Sequence, residues 1–329
     1  MCTAITFKTK DFYFGRTLDY ECSFGEEIVI TPRNFEFNSD GFQEHKGKHY
    51  AIIGVAHVAG GFPLYYDAVN EKGLAMAGLN FVGNARYGKE KDHMSNIAQF
   101  EILPWILANC ADIKEAREAL KKANITDRAF SSDLPAAQLH WIIADRRECI
   151  TVEATEEGMK IYQNEPGVLT NNPTFDKQIF NLNNYMTVTS QMAQNMFSEK
   201  LNLSPYCYGM GGMGLPGDWS SMSRFVRAAF AKLNSVCGQS EEESVRCFFH
   251  IMETVQQVKG CSRTPDGFEM TIYTSCCNAD KGIYYYTTFE NHQITAVDMT
   301  KENLEGKHLI TYPLITKQQI NMQNQDHLS

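Results

Sequence analysis

A cysteine stands directly behind Met1 in the opening stretch MCTAITFKTKDFYFGRTLDYE. Initiator methionine is normally removed when the next residue is small, and removal would leave Cys2 with a free α-amine. Such an amine titrates near ~7.7–8.0 and a free thiol near ~8.5. One residue can then supply both a nucleophile and its general base, and a cation beside the sulfur favours the thiolate. Position alone reads more readily as the first residue of a strand; the surroundings shift that reading. Arg16 and Asp19 end a segment that can fold back on residues 2–8 as a hairpin, which brings both beside Cys2. There the guanidinium would stabilise a thiolate, and the carboxylate would hold and orient an ammonium. Two further stretches, GLNF (78–81) and VLTNNPTF (168–175), offer donors for a developing oxyanion. Gly78 would permit close backbone approach, although each asparagine also reads as an ordinary turn residue.

The elements that must position these groups follow from the pattern. CTAITFK, FYFGR, EIVITP, YAIIGVAH and GLAMAGLNF are rich in β-branched, aromatic or small residues and bounded by turn residues, so the first third reads as strands. Helical spacing appears in 98–110, with Pro104 as a boundary or kink, and in 112–124, where Asp112 and Glu115 predict a capped start. Strands return over 138–145, 149–155 and 159–163. Two serine-capped helices are expected over 220–236 and 240–259, the second with Ser240 and Glu243 as a capping box. TIYTSCCN, GIYYYTTF and QITAVDM then read as an antiparallel meander. Strand blocks alternating with amphipathic helices predict an α+β fold, a four-layer αββα sandwich of two mainly antiparallel sheets. No linker or repeat interrupts the chain, so one domain over 1–329 is expected, its last ten or so residues a loose tail.

Composition narrows the function. With 43% hydrophobic and 21% charged residues the chain is an ordinary globular one, and a net charge of −9 argues against a nucleic-acid partner. No apolar run is long enough to span a membrane, and charges throughout the first 25 residues leave no room for a secretory signal, so a cytoplasmic location is expected. The ten cysteines show no CxxC pair and no zinc-like spacing; they read as reduced thiols, mostly in the core, with no metal and no cofactor expected. SPYCYGMGGMG (204–214) is glycine-rich but lacks the spacing of a nucleotide loop.

MCTAIT, FGRTLDYE, NEKGLAMAGLNF, VLTNNPTFD, GLPGDWSSMSRFVR and GIYYYTTFENHQITAVDM, in this order, resemble the choloylglycine hydrolases, which include bile salt hydrolases and penicillin V acylases; the likeness runs from residue 1 to about 315. The resemblance implies the αββα fold of N-terminal-nucleophile hydrolases, with Cys2 as nucleophile, Arg16 and Asp19 supporting it, Asn80 and Asn171 at the oxyanion, and Arg224 as a further active-site residue. Arg227 is then structural. Asparagine at 80, where penicillin acylases typically carry tyrosine, favours conjugated bile salts as the small-molecule substrate over penicillin V. A catalytically silent, bile-salt-binding relative is the reading from another class, and the filled catalytic positions argue against it. By the same pattern, Leu18, Phe24, Ala59, Tyr66, Phe130, Leu134 and Leu139 are expected to line a steroid pocket. HVAGGF (57–62) would be a mobile lid and 204–214 a loop near the glycine or taurine end. A homo-oligomer, a tetramer, is implied too.

Overall fold

The computed structural model describes residues 1–42 and 47–324. Its first strand, β1 (Cys2–Lys8), turns into β2 (Phe12–Tyr20), and the pairing sets Cys2 opposite Leu18 and Ala4 opposite Arg16. Residues directly opposite share a face, so Cys2, Arg16 and Leu18 point one way, and Thr3, Thr17 and Asp19 the other. A meander follows: β3 (Glu27–Thr31), β4 (Ile52–Ala59), β5 (Phe62–Asn70) and β6 (Ala75–Asn80). A parallel pair, β7 (Ser95–Ala98) with β8 (Ala123–Thr126), brackets α1 (Ile102–Asn109) and α2 (Ile113–Lys122). Next come β9 (Leu139–Ala144), β10 (Cys149–Thr155), β11 (Gly158–Gln163), the short β12 (Val168–Leu169) and α3 (Phe175–Asn181). After α4 (Ser221–Asn234) and α5 (Glu241–Glu253), the chain ends in β13 (Ser262–Thr264), β14 (Gly267–Asn278), β15 (Ile283–Thr288), β16 (Asn291–Asp298) and β17 (Ile310–Pro313).

Among the described residues these strands form two large antiparallel sheets. The first runs β12-β1-β2-β14-β15-β16 with β13 on β14; the second runs β11-β10-β9-β6-β5-β4-β3-β17. The sheets pack face to face, α4 and α5 lie on the outer face of the first, and α1 lies on the outer face of the second. The expected αββα sandwich is therefore the observed one. Its apolar residues form two clusters. One fills the space between the sheets and continues under α4 and α5; the other, with Leu103, Ile106 and Leu120, lies beneath α1 and α2. β14 can approach β2 closely because Gly15 has no side chain: a Cβ there would stand 2.0 Å from Ser275 O.

The sequence reading departs from the structure in definite places. The helix expected over 98–110 begins at Ile102, because residues 95–98 pair with β8; Pro104 falls in its first turn, where no N–H is needed. HVAGGF, expected to be a mobile loop, is regular structure. It is the end of β4, a two-residue hairpin turn and the start of β5, with Gly60 and Gly61 at φ 55° and 81°, the signs that such a turn requires at both positions. The capping box of α5 forms as expected, whereas at α2 Asp112 caps Glu115 N and the Glu115 carboxylate reaches Ala111 N instead. All ten cysteines are free, but only five are buried; Cys22, Cys207 and Cys261 are exposed. Of the expected tail, residues 325–329 lie outside the described residues.

Candidate active site

Cys2 is 1% exposed and its main chain is held from both sides. Its N–H donates to Asn171 Oδ1 (2.9 Å), and its carbonyl accepts from Arg224 Nη1. Arg224, on the inner side of α4, also donates to Thr3 Oγ1 (2.7 Å) and, through Nη2, to Asn171 Oδ1 (2.7 Å). Ser220 caps this helix and fixes its first turn, and Ser221 Oγ accepts from Asn171 N (2.8 Å). Burial pushes the Arg224 pKa down, against the opposing pull of Asp19, Cys2 and Glu269. Arg227, one turn on, donates to Thr254 O and Pro216 O (both 2.9 Å) and ties loops together, as expected of a structural residue.

Arg16 approaches from the opposite side. Its guanidinium lies between the sheets and donates to Gly78 O (2.6 Å), Tyr66 O (3.0 Å) and Thr17 O (3.1 Å). Tyr66 O is available because the ladder steps from Val55↔Asp67 to Ala56↔Tyr65, leaving Tyr66 as the extra residue of a bulge. Burial works against the charge on Arg16, but Cys2, Tyr273, Asp67 and Asp19 outweigh it and hold its pKa above the usual guanidinium value. Asp67 itself is fully buried, bound by Tyr273 Oη (2.6 Å), Ser275 Oγ (3.0 Å) and Tyr284 Oη; desolvation raises its pKa against the pull of Arg16.

Asp19 lies on the helix side of β2. Its carboxylate accepts from Thr271 Oγ1 (2.7 Å), Thr17 Oγ1 (3.2 Å) and Gln257 Nε2 (3.4 Å). Its backbone carbonyl accepts from the Met1 ammonium (2.8 Å), which also pairs with Glu269. Thus the group that orients the Cys2 nitrogen directly is Asn171, not Asp19. Nothing in sequence spacing pointed to Glu269, Thr271 or Gln257.

The two asparagines meet. Asn171 Nδ2 donates to Asn80 O (2.8 Å). The sheet leaves the Asn80 peptide unpaired: the N–H and C=O of Leu139 opposite are both taken by Tyr87 Oη, and β5 pairs with β6 only over Asp67–Val69. A strand residue directs its N–H and C=O to the same edge, so the Asn80 N–H faces the same opening as its carbonyl. The Asn80 side chain is engaged with Tyr20 Oη (2.9 Å). The turn carrying Asn171 is braced from behind by His140, whose Nε2 lies 3.0 Å from Thr170 O.

Cys2, Arg16, Gly78 and Asn80 border a cavity of about 350 Å³ whose wall is mostly apolar. Six of the seven expected pocket residues line it: Leu18, Phe24, Tyr66, Phe130, Leu134 and Leu139. Ala59 does not, since it sits opposite Phe62 at the closed end of the β4–β5 hairpin. Residues 204–214 are also absent from the wall; the loop packs on residues 189–191 through Thr189 N→Gly211 O. Sequence reasoning missed His57, Leu64, Tyr65, Gln99, Phe100, Leu103 and Trp141. These residues come from four separate segments, and only the aromatic run Tyr65–Tyr66 carried a local signal.

Two antiparallel sheets between helix layers, with a thiol on the first residue of the first strand and amide donors around it, define the N-terminal-nucleophile hydrolase class. The sequence matches the linear amide C–N hydrolases, choloylglycine hydrolase family, over residues 2–312, and the chain belongs to that family. It is 51% identical to a bile salt hydrolase/transferase of Lactiplantibacillus plantarum, covering 97% of this chain and 98% of that one. It is 40% identical to a bile salt hydrolase/transferase of Clostridium perfringens, covering 95% and 96%. The crystal structure of the C2A variant of the Clostridium perfringens conjugated bile acid hydrolase superposes with a TM-score of 0.90 at 39% identity, covering 98% of this chain and all of that one. A penicillin V acylase from Agrobacterium tumefaciens, 21% identical with a TM-score of 0.74 over 94% and 90% of the two chains, shares the fold. The protein is accordingly a hydrolase of linear amide C–N bonds.

Proposed function

We propose that the protein hydrolyses the amide joining a bile acid to glycine or taurine, through a thioester on Cys2. The observation that carries this reading is the seat of Cys2 at the edge of a mostly apolar cavity that Arg16 and Asn80 also border, with the Cys2 N–H held by Asn171. The relatives' activity on bile salts supports it. While Met1 is attached, the Cys2 nitrogen is an amide and cannot act as a base, so loss of Met1 is part of the proposal.

The Cys2 thiolate, stabilised by Arg16, attacks the amide carbon. The carbonyl oxygen becomes an oxyanion held by the Asn80 N–H and by the second hydrogen of Asn171 Nδ2, whose first is spent on Asn80 O. As the tetrahedral species collapses, the C–N bond breaks and the Cys2 ammonium gives its proton to the departing amine. Water then attacks the thioester, the Cys2 amine takes a proton from it, and bile acid and thiol are released. Arg224 and Asn171 fix the Cys2 main chain, and Asp19 shapes the field around its nitrogen.

The described residues would act as one domain. A homo-oligomer, with a tetramer as the assembly implied by resemblance, is supported by the large apolar and aromatic side chains exposed along residues 180–208, among them Phe180, Met186, Met196, Phe197, Tyr206 and Tyr208. A cytoplasmic location is supported by ten unpaired thiols, which suit a reducing compartment. The test of the activity is direct: purified protein whose N-terminal mass shows Met1 removed is assayed for glycine and taurine release from bile salts and for cleavage of penicillin V. Release from bile salts is expected; faster cleavage of penicillin V would replace this reading with the acylase one.

A further inference from the structure

The cavity that starts at Cys2 does not stay between the sheets. Leu18 and Tyr66 line it with the inter-sheet cluster, whereas Leu103, Phe130 and Trp141 belong to the cluster beyond the second sheet, under α1. Packed layers stand on the order of 10 Å apart, so the far end is reached only by a long ligand. In that far layer, between β7 and α1, stands Gln99. It is 4% exposed, it lines the cavity, and among the described residues its side-chain amide has no hydrogen-bond partner.

The other polar groups of the wall are accounted for differently. Tyr20 Oη is engaged with Asn80 and Tyr65 Oη with Thr31 Oγ1 (2.7 Å). The Tyr66 phenol belongs to the reactive end, in the field of Arg16 and Cys2, His57 is only partly buried, and Trp141 Nε1 is a donor alone, set against Gly78. Glu101, next but one to Gln99, is saturated by Arg128, Ser39 Oγ and the N–H groups of Gly41 and Ala98. Gln99 is therefore an amide with two donors and an acceptor that no described protein group engages; it opens onto an apolar cavity, so a ligand that displaces water from that end must supply its partner or leave it unpaired.

We propose that Gln99 is a specificity-determining residue that hydrogen-bonds a hydroxyl on the substrate's acyl group at the end remote from the scissile amide. This rests on the bile-salt reading above. A hydroxyl both donates and accepts, as the amide does. Among the described residues a charged group at that end would find no free counter-ion, and a bare hydrocarbon would leave the amide unpaired. The ring hydroxyl farthest from the side-chain amide of a bile acid has the required place and chemistry.

The test compares two glycine conjugates of one steroid skeleton, lithocholic acid with its single ring hydroxyl and the same acid without it, on wild type, Gln99→Leu and Gln99→Met. Wild type is expected to favour the hydroxylated conjugate about tenfold in kcat/KM. Both variants should lose that preference, through a raised KM for the hydroxylated conjugate and an equal or lower KM for the bare one. The proposal is overturned if wild type shows no preference, if a folded variant keeps it, or if both conjugates decline equally in both variants. If wild type cleaves neither conjugate but releases no amine from any bile salt either, the bile-salt reading itself falls, and this inference with it.

Discussion

His140 Nδ1 lies 3.1 Å from Glu153 Oε1, with both side chains completely buried. Nε2 of the same ring faces Thr170 O at 3.0 Å, and Glu153 Oε1 also accepts from Phe175 N at 3.0 Å. Both ring nitrogens thus face oxygen, so the pair must carry a proton at each contact. The two side chains grip the turn 170–175 at its two ends, with Asn171 between them. Breaking a buried pair by removing one partner costs about 3–5 kcal/mol. His140→Leu should therefore lower the melting temperature by several degrees in calorimetry and reduce kcat more than it raises KM. An unchanged kcat would remove the pair from any positioning role.

Asn171→Ala deletes the acceptor shared by Cys2 N and Arg224 together with the amide that donates to Asn80 O and is proposed to hold the oxyanion. Loss of one oxyanion donor costs about 2.7–4 kcal/mol of transition-state stabilisation, or about 10²–10³ in kcat. Steady-state kinetics on a glycine conjugate should show that loss with the fold intact by circular dichroism. Near-wild-type turnover would sink the assignment.

Cys2→Ser should fold and be nearly inactive, since an alcohol is far harder to deprotonate than a thiol. Activity should also scale with the fraction of wild-type chains lacking Met1, read by intact mass. Full turnover by a preparation that retains Met1 would rule out the α-amine as base.

Lys232 donates to Thr6 Oγ1 (2.8 Å) from a largely buried position, and burial pulls its pKa down to about 8. The unfolded value is about 10.4. Between the two, the unfolded chain binds the extra proton, so stability rises with pH across pH 8–10 and the penalty is fully present below pH 8. Chemical denaturation of Lys232→Met against wild type should show that this rise, about 2–3 kcal/mol, is missing in the variant. Parallel pH profiles would contradict it.

Phe197→Ser combined with Tyr208→Ser removes two of the most exposed large side chains, 81% and 90% accessible. Light scattering should report a smaller assembly than wild type. An unchanged mass would show that this surface does not hold subunits together.

Much of the site was legible because its chemistry is local: a thiol at position 2, an Arg-x-x-Asp on the returning strand, an Asn-Pro turn. The β1–β2 hairpin and the caps Asp112, Ser220 and Ser240 followed from short-range pattern. β5 did not, because Gly60–Gly61 looked like a flexible break and Pro63 speaks against a strand. The bulge at Tyr66, which frees a carbonyl for Arg16, has no sequence mark at all. Thr271, Gln257 and Glu269 surround the terminus through tertiary packing, with no spacing to betray them. The loop 204–214 misled because glycine content reports backbone freedom and not which surface the backbone faces.

The order in which the site is made follows from where its parts lie. Cys2 opens the first strand, whereas Asn171, Arg224 and then β14, the strand that flanks β2, come far later in the chain. Through most of translation the nascent chain carries its reactive end with neither anchors nor pocket. A ribosome that stalls early releases a fragment bearing the nucleophile but none of the catalyst, so hydrolysis begins only when the far end of the chain has come home.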